Sequence, residues 1–90
     1  MGLDVIDLFM AVENAFALDI PNHDAVTLST VGLLYDFVVS HAPGLPDNAR
    51  PGHHAGETWE RFRAVVSTET GIALHELRAE AHWLTDLGLD

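Results

Sequence analysis

Apolar residues recur near the start of the chain with the period of a helix. Leu8, Val12 and Phe16 stand at i, i+4 and i+8, with Val5 and Phe9 beside them, so a helix over residues 3–17 carries one apolar stripe. Asp4 and Asp7 fall in its first turn, where the helix dipole favours acids. Ile20-Pro21-Asn22 ends the pattern, because proline restricts both itself and its predecessor. Residues 24–28 have room for one short helical turn. Ser29 or Thr30 can cap a second helix over 31–41, with Val31, Leu34, Tyr35 and Val38 on one face. Residues 42–56 hold three prolines and three glycines and read as a flexible linker. A third long helix spans 57–70, with Trp59, Phe62, Val65 and Val66 as its apolar positions and Gly71 at its C-terminal cap. Residues 72–90 keep only isolated anchors, Ile72, Leu74, Leu77, Trp83, Leu84 and Leu87, which predicts an irregular connection with short turns and helical potential over 76–82. The pattern predicts a single all-α domain: a bundle of three main helices plus one short one.

Composition narrows the chemistry. Ninety residues allow one domain, and 48% hydrophobic with 20% charged residues suits a folded chain. There is no cysteine, hence no disulfide and no thiolate metal site. No basic, apolar leader and no spanning-length apolar run is present, so a cytoplasmic location is expected. The net charge of −10 disfavours nucleic acid and anionic membranes, both polyanions, and favours partners with basic patches. The charge is uneven: residues 1–40 contain six acids and no Lys or Arg, and all four arginines (Arg50, Arg61, Arg63, Arg78) lie later.

Two segments carry a more specific signal. Residues 2–38 supply, in order, Leu3-Asp4, Ile6-Asp7-Leu8, Met10, Val12-Glu13, Phe16, Ile20-Pro21, Ala25, Thr30-Val31 and Tyr35. This resembles the second half of an acyl carrier protein. Residues 58–90 resemble the first half of the same family, through Thr70-Gly71-Ile72, Leu77, Ala81, Trp83, Asp86-Leu87-Gly88 and Asp90. The resemblance therefore implies a four-helix, acyl-carrier-like bundle in permuted order: residues 1–41 match the family's second half, 42–56 are a linker, and 57–90 match its first half. A flexible 15-residue linker spans about 20 Å, enough to cross one end of such a bundle. The expected core contacts join Trp59, Phe62 and Val66 to Val12, Phe16 and Leu34.

The resemblance also marks an absence. The family carries phosphopantetheine on the serine of a D-S-L motif, and Gly2 stands at the matching place with no hydroxyl. No cofactor is therefore expected. What carries over is the family's docking face: Asp4, Ile6, Asp7, Met10 and Glu13, facing the basic surface of enzymes of fatty-acid or polyketide-type metabolism. Asn14 replaces one commonly acidic position. Helical geometry agrees for Ile6, Met10 and Glu13, spaced i, i+4, i+7 away from the Leu8 stripe. The alternative for Ile6 and Met10 is packing against the C-terminal segment.

Two further readings stay open: a genuine carrier whose serine comes from elsewhere, and a small metal-binding protein using histidine. His53-His54 lack the fixed geometry of a helical pair, and His75 and His82 would stand about 10 Å apart along a helix. No metal site is expected. Asp86-Leu87-Gly88-Leu89-Asp90 lacks the alternating acids of a calcium loop and reads as a turn. No nucleophile–base pair or phosphate loop stands out, so the chain is not read as an enzyme. Closure within one chain is expected over a domain-swapped dimer, because a short linker gives a millimolar-order effective concentration.

Overall fold

The computed structural model describes residues 5–89, and among them it contains four α-helices and no strand. These are α1 (Val5–Phe16), α2 (Asn22–Ala25), α3 (Val31–His41) and α4 (Glu57–Thr70), followed by a 3-10 turn, Leu74–Glu76. The expected all-α bundle of three main helices and one short helix is thus present.

Helix boundaries follow local chemistry. α1 stops where Ala17 turns left-handed, at φ 56°, and the Leu18 N–H reaches back to the Glu13 carbonyl at 3.2 Å. The short helix begins earlier than residue 24, because Pro21 fixes the start and its carbonyl takes the N–H groups of Asp24 (3.0 Å) and Ala25 (2.9 Å). Thr30 caps α3: its hydroxyl accepts from the Leu33 N–H at 3.2 Å. Gly71 closes α4 at φ 77°, a left-handed conformation that suits glycine.

Segment 76–82 does not form a helix. The 3-10 turn stops at Glu76, and the chain beyond runs past the start of α3. There the Ala81 carbonyl accepts from the Val31 N–H at 3.0 Å, and the Ala79 carbonyl from the Gly32 N–H at 2.8 Å. Together with Thr30, these bonds satisfy the orphan donors that open α3. A continuous helix over 76–82 would point the Ala79 and Ala81 carbonyls along its own axis, leaving the Val31 and Gly32 N–H groups without these acceptors. Ser29 accepts from the Trp83 N–H at 3.0 Å, and the Trp83 indole N–H donates to the Leu28 carbonyl at 3.0 Å. Trp83 is thereby locked as the largest fully buried side chain.

The core joins all three long helices. Leu8, Val12 and Phe16 meet Leu34, Tyr35 and Val38 and the α4 residues Trp59, Phe62 and Val66, closed by Leu77 and Trp83. α1 packs on α4, and the rings of Phe16 and Phe62 lie 6.3 Å apart. Tyr35 sits edge-on to Trp59 at 4.9 Å and beside Phe62 at 5.3 Å. Five apolar positions differ from expectation: Ile72 and Leu87 are only partly buried. Val65 on α4 is partly buried as well, and Leu74 and Leu84 are exposed, because the irregular segment turns these two outward.

Residues 42–56 form no regular element, yet they are not a free tether. Turns at Ala49 N–H to Pro46 O (3.0 Å) and His53 N–H to Arg50 O (3.2 Å) shape them. Leu45 and Ala42 rest against the core.

Candidate interaction surface

The sequence-derived surface residues fall into three groups. Ile6 and Met10 project from α1 with 68% and 54% of their surface exposed, on the side opposite Leu8 and Val12. Asp7 is exposed beside them. Glu13 is half-buried, and one carboxylate oxygen accepts from the Ile20 N–H at 2.6 Å. It ties the end of α1 to the turn that follows, a role that spacing alone does not reveal. Asp4 and Gly2 lie outside the described residues.

Ile6 does not stand alone. With Val5 and Phe9 it forms one wall of an apolar groove of about 470 Å³; Ala25, Val26 and Leu28 form the second, and Trp83 and Leu84 the third. Val26 is 81% exposed and Leu84 50%, so the rim is apolar and open. Sequence reasoning missed both. Val26 lies just past the end of a one-turn helix, with no periodic signal, and Leu84 read as a core anchor. The groove also brings the start of α1 beside residues 82–84.

The electrostatics follow from where the arginines go. Arg61 lies over the Phe16 ring at 4.4 Å and donates to the Ala15 carbonyl at 2.8 Å, at the end of α1. Arg63 donates to the carbonyls of Leu77 (3.0 Å) and Leu74 and pairs with Glu60 at 2.8 Å. Both cations thus tie elements of the bundle together, Arg61 joining α4 to the end of α1 and Arg63 joining α4 to the segment that follows it.

The histidines are dispersed. His41 approaches the Phe37 carbonyl at 2.9 Å through Nδ1, and His82 Nδ1 accepts from the Leu84 N–H at 3.2 Å. His54, expected on a mobile loop, meets Asp36 at 2.9 Å. Among the described residues no three histidines or acids gather as a metal would require. The Tyr35 hydroxyl is buried without a hydrogen-bond partner there. Burial, and secondarily the Asp36 charge, raise its phenol above the ordinary value of 10.0. No described helix is long and apolar enough to cross a membrane.

Part of the chain is similar to acyl carrier proteins. Those of Syntrophobacter fumaroxidans and Rubrobacter xylanophilus are each 41% identical to it over 40 residues, covering 44% of this chain and 49% of the relative. The chain therefore spans about half the length of the curated relatives it matches. No family model and no solved structure matches it.

Proposed function

We propose that this chain is an acyl-carrier-like interaction module that docks on basic surfaces of acyl-processing enzymes and is not itself phosphopantetheinylated. In this reading residues 1–41 take the part of the family's second half, 42–56 bridge, and 57–90 take the part of its first half. It is a non-catalytic, cytoplasmic protein.

The observation that carries the docking reading is the exposure of Ile6 and Met10 on an acidic helix, within the kind of chain to which partial similarity points. Large apolar side chains held out of a core that has already closed favour contact with another surface over internal packing. Asp4 and Asp7 would supply the charge, and Glu13 would contribute through its second oxygen while the first holds Ile20. Support for the permuted order comes from α1 packing on α4 and from the groove shared by Val5, Ile6 and residues 82–84, which brings the start of α1 beside the C-terminal segment. That convergence also keeps the second reading alive, in which a serine from elsewhere completes an attachment site at the seam.

Titration calorimetry against acyl-processing enzymes tests the docking face. Ile6→Glu and Met10→Glu should each abolish binding to an enzyme that the wild type binds, with helical content retained. Equal affinity of wild type and both variants removes this face from consideration.

A further inference from the structure

We infer that Asp36 is a latch that turns residues 42–56 into a strap and fixes where α4 enters the bundle. One oxygen of its carboxylate, Oδ1, accepts from the Gly52 N–H at 2.9 Å and meets His54 Nε2 at 2.9 Å. The two bonds fold the strap back along α3, whose last residue, His41, lies five positions beyond Asp36.

The site is a joint between four parts of the chain. The His54 ring lies 5.9 Å from Tyr35 of α3 and 5.1 Å from Trp59 of α4. Its Cε1 also comes within 3.2 Å of where a β-carbon on Gly32 would stand, and Ala79 of the C-terminal segment crowds the same point. A side chain at position 32 would displace one of these neighbours. His54 is three residues before Glu57, the first residue of α4. Three residues reach at most about 11 Å. With His54 held, the first turn of α4 has only a small volume in which to lie.

The consequence is directional. α4 has no side-chain N-cap, since Gly56 occupies that position. Its opening turn therefore depends on the strap for its position. Releasing Asp36 frees the strap and lets α4 fray from its N-terminal end, while the α1 side of the core stays closed. This holds whether or not the docking face is used.

Amide hydrogen exchange by NMR on the full chain tests the latch. In Asp36→Ala, the Gly52 amide should exchange at least tenfold faster than in wild type. The Glu60 amide, which bonds the Gly56 carbonyl in the first turn of α4, should also accelerate, and Val12 in α1 should change much less. Asp36→Asn should restore protection at Gly52, because the amide oxygen still accepts. Should Asp36→Ala fail to fold, His54→Ala serves: Glu60 accelerates while Gly52 stays protected. Unchanged exchange at Gly52 in Asp36→Ala overturns the inference. So does equal acceleration at Gly52, Glu60 and Val12, which would make Asp36 a contributor to global stability and nothing more; for His54→Ala the overturning result is an unchanged Glu60.

Discussion

Replacing Gly32 by alanine sets two effects against each other, and the structure says which wins. Gly32 is the second residue of α3 and buried. By propensity alone the change should stabilise the helix, by up to about 0.5–1 kcal/mol. The added methyl would meet the Ala79 carbonyl oxygen at 2.9 Å and the Ala79 β-carbon at 3.0 Å. Relief requires the 79–81 segment to retreat, yet that segment caps α3 through Gly32 N–H to Ala79 O (2.8 Å) and Val31 N–H to Ala81 O (3.0 Å). Losing or bending two such bonds costs about 0.5–1.5 kcal/mol each, and more if a buried donor is stranded. The gain is smaller than the loss, so a net destabilisation of about 1–2 kcal/mol is expected. For a chain of this size that is a fall in Tm of roughly 4–16 °C. Urea and thermal unfolding followed by circular dichroism measure it. A variant as stable as wild type, or more so, would mean that the contact between α3 and the C-terminal segment is not as close as described.

Other perturbations probe separate parts of the account. Tyr35→Phe should be neutral or stabilising by up to about 1 kcal/mol near pH 7, because it removes a buried hydroxyl that has no partner among the described residues. The raised phenol value makes the tyrosine's contribution fully present below the unfolded value near 10 and lost as pH rises through the folded one, so wild type should weaken above about pH 10 more than Tyr35→Phe in alkaline denaturation. Glu13→Ala should cost about 1 kcal/mol through the freed Ile20 N–H, whereas Glu13→Gln should retain most of it, as urea midpoints would show. Charge reversal at Asp7 should weaken partner binding while the helical circular-dichroism signal is retained. Sedimentation at micromolar concentration should show a single-chain species; a stable species of twice the mass that exchanges subunits only on unfolding would mean that α4 is swapped between chains.

The long helices were legible because each buries one stripe. Leu8, Val12 and Phe16, or Trp59, Phe62 and Val66, leave a periodic mark, and Thr30 and Gly71 signal their ends chemically. The segment after α4 was not legible, because its structure depends on carbonyls rather than side chains. Ala79 and Ala81 cap α3 through backbone atoms that any residue possesses. The hydrogen bonds of residues 42–56 were not legible for a similar reason. The prolines and glycines there announce turns, but the residue that bonds Gly52 and His54, Asp36, sits on a helix 16 residues before Gly52. At the surface, the spacing of Ile6 and Met10 marked a face apart from the core, whereas Glu13 shares that spacing and is half committed to Ile20. The groove rim at Val26 and Leu84 arises only when three distant segments converge.

The central claim is a carrier-like module with no carrying arm, and intact-mass spectrometry tests it most directly. The wild-type chain is incubated with a phosphopantetheinyl transferase and coenzyme A, beside an authentic acyl carrier protein as the positive control. The account predicts an unchanged mass for the wild type, since Gly2 offers no hydroxyl at the position that the resemblance assigns to the attachment serine. A mass gain of one phosphopantetheine arm on the wild-type chain would contradict it.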